Sequence, residues 1–452
     1  MNQGLTIVPP PVVGEALRRL EARGFQAWCV GGCVRDSLLG KAPSDWDIAT
    51  SALPQETKAC FAGERLVEAG AAHGTIAWVP SGDNPIEITT FRSDGAYTDG
   101  RHPDSVAFSR RLEDDLSRRD FTVNAMAWHP QRGLVDLFHG QEDLSAGLLR
   151  CVGEPARRFS EDALRILRCL RFSSQLGFAI HPDTAQALWE KRELLLALSH
   201  ERVREELTKL LCGQGAAAVL RQYAAVVFTV LPELAPMKGC AQETPYHCFD
   251  VWEHTLHAVD YAPQQGDLRW AALLHDAGKP GRKTRSADGV AHFYGHPPES
   301  GRIARQLLTR LRFSNKERDW IAALVDHHED AMPMGEAHLK GLLGRYGERF
   351  VFTLFQLQEA DMSAKAPGVF ARRLPDLEES RALARAILER GDCLTLGDMA
   401  LTGEDLKALG VAPGPEMGKL LRRLLEAVQR GEAANTPAAL GELAKRLLKR
   451  GL

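Results

Sequence analysis

The sequence predicts an α+β fold in which a head containing strands precedes a long helical body. Strand-like apolar segments lie at Phe25 to Val30, Asp45 to Ala49, Thr75 to Val79 and Ile86 to Phe91. Strands become rare beyond about residue 150, where apolar residues recur with helical spacing. We therefore expect an α+β head followed by an all-helical body.

The order of elements at the start of the head follows from local signals. Residues 12–23 form an amphipathic pattern that predicts a helix, and Phe25 to Val30 follows as a strand. Gly31-Gly32 then turns the chain, and Val34 to Leu39 opens a second helix that ends at Gly40. This strand–turn–helix unit is the first place where the backbone could approach a ligand closely.

The composition is that of an ordinary globular protein, with 44% hydrophobic residues, 25% charged residues and a net charge of −3. That charge neither indicates nor excludes nucleic-acid binding, because local basic patches decide it. No apolar run approaches the ~20 residues of a membrane helix, and the run before Pro9 is too short for a signal peptide. Nine cysteines without a C-x-x-C pair argue against a disulfide framework or a zinc finger. These features predict a cytoplasmic protein without a membrane segment.

The densest chemical signal is a glycine pair and an arginine followed by two aspartates. Gly31 and Gly32 allow close approach to a phosphate, and Arg35 adds a planar fork of donors about one turn later. Asp45 and Asp47 would share one face of a strand and could hold one ion cluster. Mg²⁺ prefers one or two carboxylates together with substrate phosphates. We therefore predict nucleotidyl transfer, with Asp45 and Asp47 as catalytic carboxylates and Mg²⁺ ligands.

Two further segments offer polar groups to this site. Glu87, on a neighbouring strand, is a third candidate catalytic carboxylate, although a solvent-facing side chain explains it equally well. In the segment Arg118 to Ala125, Arg119 could meet a triphosphate while Asp120 and Asn124 fix its geometry. A helix start rich in charge is the alternative explanation of this second segment.

The segment Glu161 to Phe172 predicts one helix with a polar row at a spacing of three residues. The row consists of Asp162, Arg165, Arg168 and Arg171. A surface row of salt bridges is one explanation. The other is base recognition, because ionised Asp162 only accepts hydrogen bonds and Arg165 only donates them. Cytosine and adenine offer an amino donor beside a ring-nitrogen acceptor, and uracil and guanine offer the reverse, so a fixed Asp–Arg pair would select C and A.

Together these motifs resemble the class II tRNA nucleotidyltransferases, the CCA-adding enzyme family, with an appended HD domain. The matching stretches are VGGCVRDSLLG-x4-DWDIAT, the segment around His73-Gly74-Thr75, ITTFR, RRDFTVNA, DLFHG, EDALRILRCLRF and a tail from Leu401 to Asn435. The resemblance implies a polymerase-β-like head with a mixed sheet, Mg²⁺ at Asp45 and Asp47, and ATP and CTP as substrates. The motifs and the resemblance together give as nucleotide contacts Gly31, Gly32, Arg35, Arg119, Asp120, Asn124, Asp162, Arg165, Arg168 and Arg171. The implied partner is the 3′ end of tRNA with its acceptor and T arms.

Three other interpretations use parts of the same sequence. Bacterial poly(A) polymerases share the head, and their products would not stop after CCA. The segment Phe91 to Pro103 resembles the flexible loop of complete CCA-adding enzymes, which favours full CCA addition over CC addition alone. An RNA-binding or nucleotide-sensing protein with an inactive head is opposed by the intact Asp45 and Asp47. In the third interpretation, hydrolysis by the HD domain is the main activity and the head is auxiliary.

A second site is predicted between residues 247 and 361, where histidines and aspartates follow apolar helices. Imidazole with carboxylate suits Mn, Fe, Ni, Co or Zn. The pattern resembles the HD phosphohydrolase superfamily, and the metal ligands that this implies are His254, His275, Asp276 and Asp361, with His296 and His327 where two-metal members carry additional ligands. A phosphatase or a 2′,3′-cyclic phosphodiesterase follows from this resemblance, and a structural body without turnover is the alternative. His247, His257 and His328 are predicted to be bystanders.

The two sites divide the chain into four predicted domains. A nucleotidyltransferase head (1–150) precedes a helical neck for bases and RNA (151–235). An HD phosphohydrolase domain (236–365) and a helical tRNA-binding tail (366–452) follow.

Overall fold

The computed structural model describes residues 7–94 and 106–449, and the chain divides into two compact units on either side of residue 230. Strands are concentrated in the first unit and helices dominate the second, so the predicted α+β fold is confirmed. The predicted boundary at residue 235 lies close to this division. The other domain boundaries stay predictions.

A seven-stranded mixed sheet forms the centre of the first unit. Its strand order is β3-β4-β5-β2-β1-β8-β9, and every neighbouring pair is antiparallel except β2 and β5. The elements of this unit are α1 (Pro11–Glu21), β1 (Ala27–Val30), α2 (Gly32–Leu38), β2 (Asp47–Thr50), α3 (Pro54–Cys60), β3 (Leu66–Val67), β4 (Thr75–Trp78), β5 (Ile86–Thr90), β6 (Arg92–Asp94), β7 (Val106–Phe108), α4 (Leu112–Ser117), β8 (Met126–His129), β9 (Gly133–Asp136), α5 (Gly140–Ala146), β10 (Leu148–Leu149), α6 (Pro155–Glu161), α7 (Leu164–Leu176), β11 (Ala179–Ile180), α8 (Pro182–Lys191), α9 (His200–Leu211), α10 (Ala216–Gln222) and α11 (Ala224–Val230).

The first two predicted elements form where the sequence places them. Helix α1 buries Val13, Ala16, Leu17 and Leu20, which lie on one face at helical spacing. Strand β1 is buried along its whole length because it lies between β2 and β8 in the sheet. This central strand leads directly into Gly31 and α2, so the predicted phosphate-approach turn lies at the end of a rigid element.

The segment Glu161 to Phe172 is not one helix, which corrects the sequence prediction. Helix α6 ends at Glu161, Asp162 has an extended backbone with φ −142° and ψ 106°, and α7 begins at Leu164. The Asp162 carboxylate accepts a hydrogen bond from the backbone N–H of Leu164 at 3.0 Å. Aspartate competes in this way for backbone donors outside helices, a preference that periodicity alone does not show.

The second unit is a helical body with one short hairpin, β12–β13. Its elements are α12 (Val251–Tyr261), α13 (Gly266–Leu274), α14 (Lys279–Arg282), β12 (Thr284–Arg285), β13 (Ala291–His292), α15 (His296–Arg310), α16 (Asn315–His327), α17 (Glu336–Tyr346), α18 (Glu348–Ser363), α19 (Val369–Glu389), α20 (Gly403–Ala408), α21 (Pro415–Gln429) and α22 (Pro437–Lys449). Between residues 7–94 and 106–449, each helix is too short or too polar to cross a lipid bilayer.

The tail of the second unit has a hydrophobic cluster of its own. Leu406 on α20, Leu420 and Leu424 on α21, and Leu440 on α22 are completely buried within it. Helix α20 begins with a capping box in which the Thr402 side chain accepts from the backbone N–H of Asp405. The Leu401-Thr402-Gly403 motif therefore marks a helix start.

Part of one predicted feature lies outside the described residues. The segment Phe91 to Pro103 resembles the flexible loop of complete CCA-adding enzymes, and its residues 95–103 lie outside the described residues. Within its described part, residues 91–94, Arg92–Asp94 forms β6, which pairs with β7.

Candidate active sites

A cleft of about 600 Å³ in the first unit brings together most of the residues predicted for nucleotidyl transfer. The predicted residues that line it are Gly31, Gly32, Arg35, Asp45, Asp47, Glu87, Arg119, Asp120, Asn124, Asp162, Arg165 and Arg168. They come from segments that are more than 100 residues apart in sequence. The cleft also contains Arg92, Arg118 and Arg202, which sequence analysis did not assign to the site.

Three carboxylates form the acidic end of the cleft. Strand β2 begins at Asp47, so the exposed Asp45 precedes the strand instead of lying within it as predicted. Asp47 and Glu87 are register partners on the parallel strands β2 and β5, which places the predicted third carboxylate beside the pair. Burial together with the charges of Glu87 and Asp45 raises the pKa of Asp47 to about 6, although Arg119 opposes this. Such an excess of negative charge fits a divalent cation with oxygen ligands.

The glycine turn lies beside the carboxylates, because Gly31 follows Val30, the register partner of Asp47, and it is packed against arginine. Gly31 has a φ of +77°, and a Cβ at this position would lie 2.8 Å from Nη1 of Arg119. The positive φ therefore favours glycine, and any larger residue would also displace the Arg119 guanidinium. Nη2 of Arg119 donates to the completely buried Asp115 at 3.1 Å, and Arg118 donates to the same side chain at 2.7 Å. Asp115 thus positions both arginines, a role that its place in an acidic helix start did not reveal.

A buried polar network joins the RRDFTVNA segment to α2 and α7. Nη2 of Arg168 donates to Oδ2 of Asp120 at 2.6 Å, and Nδ2 of Asn124 donates to Oδ1 of Asp120 at 3.2 Å. Nη1 of Arg35 in turn donates to Oδ1 of Asn124 at 2.7 Å. Burial opposes ionisation of Asp120, but Arg168 and these hydrogen bonds lower its pKa to about 2. Asp120 and Asn124 therefore fix the positions of two cleft arginines.

The two predicted base-reading residues lie at the break between α6 and α7. The Asp162 carboxylate contacts Nη2 of Arg202 at 3.3 Å. The buried Arg165 donates through Nη1 to Glu161 at 2.9 Å and through Nη2 to the carbonyl of Arg118 at 3.0 Å. Both side chains are therefore held from more than one direction while they line the cleft.

Arg171 is the predicted contact that the cleft does not include. Its guanidinium is 3.2 Å from the buried Glu206 of α9 and lies over the Phe172 ring at 4.2 Å. Arg35 and Arg168 also lie over this ring, at 5.2 and 5.3 Å. Because Phe172 lines the cleft and Arg171 does not, the structure gives Arg171 a supporting position behind the site.

The second predicted site is a buried group of histidines and aspartates in the second unit. Two sets of donor atoms, each within 4.8 Å of one another, consist of His254, His275 and Asp361, and of Asp276, His296 and His328. Asp276 lies between them, with Oδ2 3.3 Å from Nε2 of His275 and Oδ1 3.2 Å from Nε2 of His296. Residues in or directly after five helices therefore meet at one internal site; the helices are α12, α13, α15, α16 and α18.

His328 occupies the position predicted for His327, which is a correction to the sequence analysis. Nε2 of His328 is 3.3 Å from Nε2 of His296, whereas Nδ1 of His327 is 2.8 Å from Oδ2 of Asp330 in a different cluster. Helix α16 ends at His327, and adjacent residues at a helix end project in different directions. The sequence showed only that one histidine of the pair follows the apolar helix. His247 and His257 belong to neither set.

Backbone carbonyls orient the four imidazoles of this site. The Nδ1 atoms of His254, His275, His296 and His328 lie 2.7–3.1 Å from the carbonyl oxygens of Ala364, Ala272, Phe293 and Val325. An Nδ1–H that donates to a carbonyl directs the Nε2 lone pair to the other side. Nε2 of His254 lies 3.3 Å from Nε2 of His275, and two acceptors at that distance require a proton or a cation between them. The donor set therefore fits one or two transition-metal ions.

Two lysines complete the charge balance of the site. Nζ of Lys279 lies 2.7 Å from Asp276, and Nζ of Lys365 lies 2.7 Å from Asp361. Burial disfavours the charged imidazole of His275, yet the carboxylates of Asp276 and Asp361 outweigh it and raise the pKa of His275 to about 10. The carboxylates of Asp276 and Asp361 are thus surrounded by cationic groups, namely the two lysines and the His275 imidazolium.

Comparison with known proteins identifies the family. Models of the poly A polymerase head domain, of a probable RNA- and SrmB-binding site of polymerase A and of a putative tRNA nucleotidyltransferase domain 2 match residues 27–150, 177–237 and 299–444. The CCA-adding enzyme of Lactobacillus delbrueckii subsp. bulgaricus is 35% identical over 94% of this chain and 95% of its own. That of Streptococcus pneumoniae is 34% identical over 94% of each chain.

A solved structure gives the same result in three dimensions. The crystal structure of the Bacillus stearothermophilus CCA-adding enzyme in complex with CTP superposes with a TM-score of 0.74 and 31% identity. The match covers 98% of this chain and all of that one. These similarities extend over nearly the whole length of this chain. They show that the chain belongs to the CCA-adding enzyme family.

Proposed function

We propose that this protein adds or repairs the 3′-terminal CCA of tRNA, using CTP and ATP and no nucleic-acid template. The observation that carries the proposal is a single cleft lined by three carboxylates, Asp45, Asp47 and Glu87, and by Asp162 with Arg165. The relatives at 34–35% identity are CCA-adding enzymes, and the structure at 31% identity has CTP bound. A cytoplasmic location agrees with nine free thiols and with tRNA as the substrate.

The reaction follows from the placement of charge in the cleft. Mg²⁺ held by Asp45 and Asp47 would help to activate the attacking 3′-hydroxyl and neutralise charge on the leaving pyrophosphate. Glu87 adds a third carboxylate beside Asp47. The guanidinium groups of Arg35 and Arg119 orient the triphosphate, which the positive φ of Gly31 allows to approach the backbone. Attack on the α-phosphate then extends the RNA by one nucleotide.

The protein itself chooses the base. Asp162 accepts from the exocyclic amino group of C or A, and Arg165 donates to the neighbouring ring nitrogen. Glu161 contacts Arg165 and Arg202 contacts Asp162, so these two residues help to position the base-reading pair. Basic groups of the helical regions would hold the acceptor and T arms of tRNA through their phosphates, so that binding weakens as salt increases.

The direct test uses tRNA that lacks its 3′ end. Incubation with CTP, ATP and Mg²⁺, followed by sequencing of the product ends, should give CCA and then stop. Continued addition of A would instead identify a poly(A) polymerase, and products that end in CC would identify a partial activity. No incorporation under these conditions would indicate a binding protein with an inactive head.

Base selectivity gives a more specific prediction. Asp162→Ala or Arg165→Ala should increase incorporation of UTP and GTP relative to CTP by roughly tenfold to a hundredfold, because each unpaired group costs about 1–3 kcal/mol. Competition assays with mixed triphosphates measure this ratio. Arg157→Ala is the matched control, since Arg157 is exposed and contacts the same Glu161 at 3.1 Å. Unchanged selectivity in both cleft variants would contradict the templating role.

We also propose a second activity, a metal-dependent phosphohydrolase at the HD site. The carrying observation is the set of four Nδ1 contacts to backbone carbonyls, which point the Nε2 atoms toward Asp276. Mn, Fe, Ni, Co or Zn bound there would polarise a phosphate ester and activate water. A neighbouring cavity of about 380 Å³ reaches Asp361, His328 and Lys365, so a phosphate could approach the site. Lys365, which lines this cavity, could then contact its oxygens.

His275→Gln should remove this hydrolysis without changing CCA addition. The substitution deletes one imidazole from the centre of the site, and Asp361→Asn provides a second variant in case the first folds poorly. Release of product from 2′,3′-cyclic AMP and p-nitrophenyl phosphate, with each of the five metals, measures the activity. His257→Gln is the control, because its ring contacts Glu253 on the surface. If the wild-type protein is inactive with all five metals, the HD domain has a structural role without turnover.

A further inference from the structure

A third group of metal-type side chains lies outside both sites described above. It consists of His327 at the end of α16, Asp330 in the loop that follows and His338 on α17. Nδ1 of His327 and Nε2 of His338 lie 2.8 and 2.7 Å from the same oxygen, Oδ2 of Asp330. All three potential ligand atoms are within 4.8 Å of one another. Neighbouring residues of one helix end therefore serve different clusters, with His328 in the buried site and His327 in this one.

The donor set of this group is selective. Two imidazole nitrogens and one carboxylate oxygen suit first-row transition metals, whereas Mg²⁺ and Ca²⁺ prefer oxygen alone. Two helices and a connecting loop contribute the three side chains. Three protein ligands also leave one coordination position for a water or an exogenous ligand, as in metal sites that exchange ligands.

The surroundings place that open position toward solvent. His327 and His338 line a cavity of about 760 Å³ between α17 and α21, and Asp330 is not among its lining residues. Arg345, Arg422 and Arg430 are also on its walls, with Glu426 as an opposing charge. These arginines would favour an anionic fourth ligand over a neutral one.

We propose that His327, Asp330 and His338 form a solvent-accessible site for a divalent transition metal, with its open coordination position on the α17–α21 cavity. The site shares no ligand with the buried HD cluster or with the nucleotidyl-transfer cleft, and Asp330 also lines the cavity of about 380 Å³ that reaches Asp361. It does not depend on HD activity, because none of its three side chains belongs to the buried sets.

The test uses the full chain, freed of metal by a chelator and then loaded with Zn²⁺ or Co²⁺. Anomalous scattering at the zinc edge should locate an ion among His327, Asp330 and His338. With Co²⁺, His338→Gln should remove one bound ion per chain and its visible absorption. The affinity of that ion should fall by at least about 10- to 100-fold, the loss caused even by removing an outer partner of a metal-binding histidine.

Two controls separate this site from others. His139→Gln removes an exposed histidine that lies 3.3 Å from Glu142. Among the described residues, His139 belongs to none of the three groups of potential metal ligands, so the metal content should not change. His275→Gln should remove metal from the buried site and leave the proposed ion in place. An unchanged Co²⁺ stoichiometry in His338→Gln, or no anomalous peak at the three side chains, would reduce the group to a hydrogen-bonded triad and overturn the proposal.

Discussion

Asp45→Ala should abolish nucleotide addition while the protein remains folded and retains the hydrolysis proposed for the HD site. Charge stabilisation by a bound metal supplies several kilocalories per mole in such transfers. Since about 1.4 kcal/mol corresponds to a factor of ten, a loss of roughly 10³-fold or more is expected. Asp45 is exposed and its carboxylate contacts only the neighbouring Ser44 hydroxyl among the described side-chain hydrogen bonds, so folding should not suffer. Incorporation of labelled CTP into truncated tRNA measures the loss.

A second variant and a control make this result specific. Asp47→Asn should cause a similar loss of addition without lowering thermal stability. Burial and the nearby carboxylates raise the pKa of Asp47 to about 6, so at neutral pH its charge opposes folding. Asp83→Ala removes an exposed carboxylate outside the cleft and should have no effect. Loss of both activities in a folded Asp45→Ala protein would contradict the independence of the two sites.

Local patterns were sufficient to predict α1 and β1, but not that β2 begins after Asp45 or that a break separates α6 from α7. The spacing of Val13, Ala16, Leu17 and Leu20 predicted α1, and the apolar run before Gly31 predicted β1. Glu87 could be placed beside Asp47 only as one of two alternatives, because sequence does not give strand order. The parallel pairing of β2 with β5 places Glu87 beside Asp47, and its side chain is exposed at the cleft, so its catalytic role stays a prediction.

What sequence could not give were contacts between distant segments. Asp115 is a charged residue at a helix start in the sequence, yet its complete burial beneath Arg118 and Arg119 makes it a positioning residue. The spacing of Asp162 from Arg165 fits helical periodicity and predicts a helix at Asp162. Its hydrogen bond to the Leu164 backbone instead ends the regular pattern. The choice between His327 and His328 was likewise decided by the direction in which α16 ends.

Asp120→Ala should destabilise the first unit by about 3–5 kcal/mol, the cost of breaking a buried ion pair. The substitution removes the partner of Arg168. It also removes the acceptor of the backbone N–H of Phe121 and of the side-chain amide of Asn124. Hydrogen exchange of the β1 and β8 amides reports this unit directly, because core strands exchange through the largest openings. Asp120→Asn, which keeps an acceptor but loses the charge, should fall between wild type and Asp120→Ala.

The pH dependence identifies the ionised carboxylate as the source of this effect. The pKa of Asp120 is lowered to about 2 in the folded state from the ordinary value of 3.8, so its charge stabilises the fold above pH 4. That contribution, about 2 kcal/mol, is lost as the pH falls from roughly 4 to 2, and the difference between wild type and Asp120→Asn should shrink over the same range. Glu113→Ala is the matched control: its 3.5 Å pair with Arg111 is exposed, and such pairs contribute about 0–1 kcal/mol. If Asp120→Ala costs no more than Glu113→Ala, the network around Asp120 does not hold the cleft arginines, and their positions must be set by the helices alone.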